Sequence, residues 1–302
     1  MPCFFSIIIP TYNRANRISV AVQSVLNQTY TDFELLIIDD GSTDNTKEVI
    51  ASFNDDRIVY VYQENAERST ARNNGIKQAR GGFICFLDSD DYYLPNHLSV
   101  LFELINTKGE KEAMYAVGTI TFDEETGIAS GRPIRMTNIS HPVQYIWQSF
   151  LLPDSVCIHK SVFNTHLFDP RFNIWEDTHL FLRIAAQYPF FQAPIYSAIQ
   201  VIHKEGTVAQ NFQKVRMETV NLYVAAINNL FSDYKEIISP YLSEKDKIDY
   251  IRRELRVFIA SAYSSKQYKT VLQLHKKDFH VHKSKKIYIV DWIRLCIRYL
   301  IN

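Results

Sequence analysis

Between Phe4 and Asn106 the chain alternates short apolar runs with stretches of helical spacing, and that beat limits the folds open to it. Phe4–Pro10, Phe33–Asp39, Ile58–Tyr62 and Phe83–Leu87 read as buried strands, being short, apolar and rich in β-branched or aromatic residues. Between them, Asn16–Asn27 sets Ile18, Ala21, Val22, Val25 and Leu26 at helical spacing, and Asp44–Phe53 reads as a second helix. Ser69–Ala79 is predicted helical, with Ser69 as N-cap and Gly81 and Gly82 beyond its end. Pro95–Asn106 opens a further helix with proline in its first turn. Strands joined through helices require right-handed crossovers and a mainly parallel sheet flanked by helices. Ligands of such sheets bind beyond the carboxyl ends of the strands.

The chain has 302 residues, enough for one large domain or two unequal ones. Residues 111–212 mix strands and helices, and from about Gln213 the pattern is mostly helical with a break near Pro240. The expected division is therefore 1–212, in halves 1–110 and 111–212, followed by a helical region 213–302. A hydrophobic content of 46% excludes wholesale disorder. Lys plus Arg equals Asp plus Glu at 33 each, so no global charge excess points to nucleic acid. The four cysteines, Cys3, Cys85, Cys157 and Cys296, lie far apart, which argues against zinc and a disulfide framework and for a reducing compartment. No signal-peptide pattern follows Met1, and no apolar run reaches the roughly 20 residues of a spanning helix.

The strand-end rule directs attention to three loops. Pro10-Thr11-Tyr12-Asn13-Arg14 follows the first strand, Asp39-Asp40-Gly41-Ser42-Thr43-Asp44 the second, and Asp88-Ser89-Asp90-Asp91 the fourth. Three carboxylates within four residues repel one another, and a hard divalent cation such as Mg²⁺ or Mn²⁺ relieves that repulsion; an acidic turn leading into the next helix is the plainer alternative. Asp39 and Asp40 point to opposite sides, so at most one faces the cleft. That loop reads equally as a capped turn or as a carboxylate aimed at a nucleoside. Glu176-Asp177 opens a helix carrying Leu180, Phe181, Ile184 and Ala185. Its carboxylates suit the helix dipole, or supply a general base. Trp175 before them either stacks on a sugar or fills a core. No G-x-G-x-x-G, P-loop or G-x-S-x-G pattern offers a rival site. His159, His166, His179 and His203 form no zinc motif.

Taken in order, Ser6–Arg14, Ile38–Asp44, Ala71-Arg-Asn-Asn-Gly-Ile76, Phe86–Asp91 and Trp175-Glu-Asp177 followed by Leu180–Arg183 resemble the inverting family 2 glycosyltransferases of the GT-A fold. The resemblance covers about residues 4–210. It implies a Rossmann-like α/β domain with a helical C-terminal extension. It further implies that Pro10, Thr11, Tyr12 and Arg14 line a nucleotide pocket and that Asp40 accepts a hydrogen bond from the base, typically uracil. Arg72 would sit near the nucleotide or hold its loop. Asp88 would approach the ribose and join the metal site, Asp90 would bind Mn²⁺ or Mg²⁺, and Asp91 would support it. Asp177 would be the catalytic base, with Glu176 as the alternative. The loop His203-Lys204-Glu205-Gly206 offers His203 as a further metal or diphosphate contact.

The expected reaction moves a sugar from a nucleotide-sugar, with UDP the leading nucleotide, to a hydroxyl of a glycan or lipid-linked acceptor. Trp147, Pro153, Asp154 and Trp175 are expected around the acceptor. Glu67 stands where relatives often carry glycine, which bears on the donor loop. A sugar-phosphate nucleotidyltransferase would need a Gly-rich loop after the first strand, and none is there. A scaffold that kept the fold but lost catalysis is opposed by the presence of both Asp90 and Asp177.

The charge balance hides one asymmetry. From Ile251 onward 12 Lys and Arg face 3 Asp and Glu, a net of +9 against −9 for residues 1–250. Lys283-Ser-Lys-Lys286 precedes Ile287–Ile301, in which Asp291, Arg294 and Arg298 make one polar stripe on an otherwise apolar helix. At about 22 Å it is short of the roughly 30 Å hydrocarbon core. Residues 283–301 thus suit an anionic membrane surface, giving a cytoplasmic protein held peripherally at the inner face of the membrane. Packing on the catalytic domain or on a partner subunit is the alternative.

Overall fold

A computed structural model describes residues 3–131, 141–149, 151–206 and 214–282. The chain divides into two compact units, Met1–His203 and Lys204–Asn302. In the first, helices flank a mixed sheet. Its first four strands are β1 (Phe5–Thr11), β2 (Phe33–Asp39), β3 (Ile58–Tyr62) and β4 (Phe83–Phe86), and the order begins β3-β2-β1-β4 with all neighbours parallel. β2 is buried at every position, as expected of a parallel strand covered on both faces. Helices α1 (Ile18–Leu26), α2 (Thr46–Ala51), α3 (Glu67–Gln78) and α4 (His97–Thr107) make the crossovers. Ile18, Ala21, Val22 and Val25 form the buried stripe of α1 and join a core with Ile7, Ile9, Leu35 and Ile37.

Beyond β4 the sheet turns mixed. The short β5 (Tyr92–Tyr93), the long β6 (Met114–Asp123), β7 (Ala129–Gly131), β8 (Val156–His159) and β9 (Phe190–Ile202) complete it, and the order continues β4-β8-β6-β9-β5 with β7 on β6. β8 runs antiparallel to β4 and β6, whereas β6 and β9 pair in parallel, so parallel and antiparallel neighbours mix in this half of the sheet. Helices α5 (Pro142–Gln148) and α6 (Glu176–Ala185) lie in this half of the sequence and pack on one another.

Strand register gathers the loops. Thr11 is level with Asp39, and Asp39 with Tyr62, so the chain leaves β1, β2 and β3 at one edge. Ile8 is level with Phe86, and Leu87 N–H donates to Ile8 O, which carries the chain after β4 to that same edge.

One expected detail is corrected. Ser69 does not cap α3: the helix begins two residues earlier, after Ala66, and Ser69 is buried within it. Its hydroxyl donates to Phe172 O (2.7 Å), a tertiary bond rather than a cap. Gly75, by contrast, is required by packing. A Cβ there would come within 2.6 Å of Ile8 Cγ2, so α3 lies on β1 as closely as a glycine allows.

The second unit is helical: α7 (Met217–Asp233), α8 (Lys235–Ile238), α9 (Glu244–Ser264) and α10 (Tyr268–His282), broken where Pro240 was expected to break it. Ser243 and Asp246 cap α9 reciprocally, through Ser243 N to Asp246 Oδ2 (2.8 Å) and Asp246 N to Ser243 Oγ (3.2 Å). Leu230, Leu255 and Ala262 are buried in this unit. Cys85 and Cys157 are buried, as small hydrophobes should be, and Cys3 is partly so. The expected amphipathic helix at 287–301 and Cys296 lie outside the described residues, and among those residues no helix is long and apolar enough to cross a membrane.

Candidate active site

The first two loops at the sheet edge are sewn together by their own polar groups. Asn13, in the left-handed region at φ +51°, accepts Thr43 N at Oδ1 (2.7 Å) and donates its backbone N–H to Ser42 Oγ (2.9 Å). Arg14 N donates to Thr46 Oγ1 (3.1 Å), and Asp40 N to Thr11 O (2.8 Å). Gly41 turns the second loop at φ +85°, and a Cβ there would meet Asn65 N at 2.9 Å, so glycine serves both the angle and the close approach.

Asp39 and Asp40 do diverge. Asp39 accepts Ser42 N (2.8 Å) and the Tyr60 hydroxyl (2.6 Å), which makes it a structural brace. Asp40 accepts Gln63 Nε2 (2.6 Å) and Ala66 N (2.9 Å) at the single oxygen Oδ1. Thr11 is buried, with an Oγ1 that finds no partner among the described residues, while Tyr12 is 48% exposed. Pro10 is half-buried at the end of β1.

Four acidic residues and three cations meet at the β4 loop. Asp88 Oδ1 accepts Arg72 Nη2 at 2.7 Å. Burial pushes the Asp88 carboxyl up, but the guanidiniums of Arg72, Arg68 and Arg14 outweigh it and hold the group below the usual range. Asp90 Oδ2 faces His203 Nε2 at 3.0 Å and Arg14 Nη2 at 3.9 Å. The carboxylate and imidazole, 113 residues apart in sequence, thus present their ligand atoms to one another. Asp91 turns inward, where Oδ1 accepts Val201 N (2.7 Å), a bond that ties the loop to the end of β9 two residues before His203.

Asp154, expected near the acceptor, lies against the β4 loop. It is buried and accepts Asp88 N at 2.8 Å, and its carboxyl lies with those of Asp91 and Asp88, the ligand atoms all within 4.8 Å. Burial, with Asp88 adding repulsion, raises Asp154 to about 7, and burial beside Asp154 pushes Asp91 well up. The Asp91 and Asp154 carboxyls lie close together, and a proton held on one of them relieves their repulsion. Trp147 and Trp175, also expected at the acceptor, are buried with ring centroids 6.1 Å apart, and Pro153 is buried as well.

Glu176 and Asp177 open α6 directly after Trp175, whose backbone is left-handed at φ +62°. They diverge in role. Glu176 is buried and accepts Arg72 Nη1 at 2.9 Å, with Arg68 Nη1 at 3.9 Å. Asp177 is partly buried and accepts Thr178 N (2.6 Å). Burial, reinforced by the Glu176 charge, raises its carboxyl to about 7. A carboxylate poised near neutrality can take a proton from a hydroxyl, and Glu176, occupied by two arginines, is poorly placed to do so. Arg72 thereby touches both carboxylate groups of the site. No local pattern signals that bridge, because its partners lie 16 and 104 residues away.

A cation would fit the donor set. Asp88 and Asp90 supply hard carboxylate oxygens and His203 supplies one imidazole nitrogen, a mixture that suits Mn²⁺ or Mg²⁺ when phosphate oxygens and water fill the remaining positions.

The family described as "Glycosyl transferase family 2" matches residues 6–164, just over half of the chain. The Escherichia coli enzyme UDP-Glc:alpha-D-GlcNAc-diphosphoundecaprenol beta-1,3-glucosyltransferase WfgD is 47% identical over 96 residues, 32% of this chain and 38% of its own length. Glycosyltransferase GlyG of Streptococcus pneumoniae serotype 4 is 30% identical over 212 residues, 63% of this chain and 69% of that protein. The matched region spans 38% of the length of two uncharacterised rickettsial glycosyltransferases. In three dimensions, S. aureus TarS 1-349 in complex with UDP-GlcNAc superposes with a TM-score of 0.64 at 18% identity, covering 92% of this chain and 89% of that one. Mannosyltransferase PcManGT from Pyrobaculum calidifontis, in complex with GDP-Man and Mn²⁺, gives 0.62 at 16% identity, covering 98% and 84%. These likenesses show the fold, a GT-A-like α/β sheet with flanking helices. With the family match, the shared fold and the motifs gathered at one sheet edge, the chain belongs to glycosyl transferase family 2.

Proposed function

We propose that the protein is an inverting, metal-dependent glycosyltransferase that moves a sugar from a nucleoside diphosphate sugar to a hydroxyl of a glycan or lipid-linked acceptor. The observation that carries this reading is geometric: Arg72 joins Asp88 of the β4 loop to Glu176, the neighbour of Asp177, whose carboxyl is raised to about 7. UDP is the leading nucleotide. TarS is seen with UDP-GlcNAc, and WfgD is named for UDP-Glc and a diphosphoundecaprenol-linked acceptor.

Each residue then has a task. Thr11, Tyr12 and Arg14, with Pro10 shaping their loop, line the nucleotide pocket. Asp40, its Oδ1 already held by Gln63 and Ala66, receives a base N–H at its other oxygen. Asp88 takes the ribose side, and Asp90 and His203 hold the cation with Asp88. A bound Mn²⁺ or Mg²⁺ would supply positive charge against the departing diphosphate. Asp177 removes the acceptor hydroxyl's proton as the oxygen bonds to the anomeric carbon. The bond from that carbon to the diphosphate breaks on the opposite face, so configuration inverts and an α-linked donor gives a β-linked product. Asp91 and Asp154 keep the metal loop in place.

Asp90→Ala tests the reading. Manganese-dependent nucleotide affinity should fall at least tenfold and turnover of the nucleotide-sugar should be lost. Unchanged manganese-dependent affinity would remove Asp90 from the metal site.

A further inference from the structure

We propose that Arg72 is a positioning residue that couples the two halves of the reaction: one buried guanidinium holds both the donor-side carboxylate Asp88 and the start of the base-bearing helix. This inference rests on the functional reading above, which assigns Asp88 to the donor and Asp177 to the acceptor hydroxyl.

Arg72 is the largest fully buried side chain among the described residues, at 1% exposure. Its planar fork spends one end on each side: Nη2 donates to Asp88 Oδ1 (2.7 Å) and Nη1 to Glu176 Oε1 (2.9 Å). Its guanidinium carbon stands 5.3 Å from the Phe168 ring centroid. The same helix face fastens the whole loop that leads to the base. Ser69 donates to Phe172 O (2.7 Å), and Asn73 exchanges two hydrogen bonds with the Phe168 backbone (2.8 and 3.0 Å). Ser69, Arg72 and Asn73 follow the i, i+3, i+4 spacing of one helical stripe. Thus α3 grips residues 168–176 at both ends and in the middle.

A buried cation is tolerated only because its charge is met, and here two carboxylates meet it. Neutralising either one draws the guanidinium toward the other. A change at Glu176 is therefore felt at Asp88, although Glu176 lies on the acceptor side. By reciprocity, a nucleotide that engages Asp88 must alter the hold on Glu176, and with it the placement of the adjoining Asp177. Lysine carries the charge but not the planar fork, so it cannot serve both carboxylates in this geometry.

The test titrates the full chain, with Mn²⁺ and without acceptor, using whichever of UDP, GDP, dTDP and CDP the wild type binds tightest. Glu176→Gln should bind that nucleotide 3- to 10-fold more weakly, whereas Asp177→Asn should stay within twofold of wild type. Arg72→Lys should also bind more weakly, and adding Glu176→Gln to it should change nothing further beyond twofold. Wild-type affinity in Glu176→Gln, or full additivity of the two changes, would overturn the coupling. A second readout does not depend on how well the variants bind. At saturating nucleotide, amide hydrogen exchange across Trp175–Thr178 should slow in the wild type and be unchanged in Arg72→Lys. Equal slowing in both would again overturn it. Failure of the wild type to bind any of the four nucleotides is a different result: it would remove the donor-site reading, and the coupling with it.

Discussion

At the residue scale, neighbouring side chains in this site have diverged in function because their surroundings differ. Glu176 is neutralised by arginines, while Asp177, one residue on, is partly buried beside that same charge and raised to about 7. A carboxyl whose folded pKa is raised favours the folded state below its unfolded value of about 4, and that contribution is lost as pH climbs through about 7. Asp177→Asn should therefore raise Tm relative to wild type at pH 8, with the gain shrinking toward pH 5; a gain independent of pH would contradict the assignment. The same substitution should cut transfer about 10²- to 10⁴-fold while sparing nucleotide affinity. In the wild type, transfer should rise with pH through about 7 as the base loses its proton. Glu67 makes a separate case. It is exposed with φ +70°, where a side chain costs about 1–2 kcal/mol and glycine costs little. Glu67→Gly should stabilise the fold by about 0.5–1 kcal/mol in denaturant melts, once the greater flexibility of unfolded glycine is subtracted. A loss of stability would mean that the Glu67 side chain itself contributes.

At the element scale, α3 lies between strand and site. Its Gly75 face is pressed on Ile8 and its Ser69–Arg72–Asn73 face holds the base loop. Gly75→Ala should cost about 1–3 kcal/mol, the range for overfilling a packed core. Pairing it with Ile8→Ala should return part of that loss, and simple additivity would place the strain elsewhere. This scale also marks where sequence reading works. β2 was legible because a parallel strand covered on both faces carries an unbroken apolar run; β3 also matches its expected bounds residue for residue, but at the sheet edge it is half-buried rather than buried as expected. Loops that follow such strands, with Thr11, Asp40, Asp88 and Asp90, were legible for the same reason. Ser69 was misread because a serine near a helix start looks the same whether its hydroxyl caps the helix or crosses to Phe172. The contact of Asp154 with Asp88 was not legible because it depends on β8 lying antiparallel against β4, a pairing that no short stretch of sequence announces.

At the scale of the whole molecule, the catalytic assignment belongs to the unit Met1–His203, and the basic excess belongs to the chain beyond it. Lys283–Lys286 and the apolar stretch after it have the composition of an interfacial helix. A chain ending at His282 should bind anionic phosphatidylglycerol vesicles less than the full chain, and the difference should fade at high salt as surface charge is screened. Equal binding by both forms would assign the segment to packing instead. In the proposed reading, Asp90 and His203, with Asp88 of the same loop, form a metal-assisted donor site. Calorimetric titration of UDP, GDP, dTDP and CDP, each with and without Mn²⁺, tests it most directly. One nucleotide, UDP, should bind tightly, and only when the metal is present. No binding of any nucleotide, or binding indifferent to Mn²⁺, would contradict it.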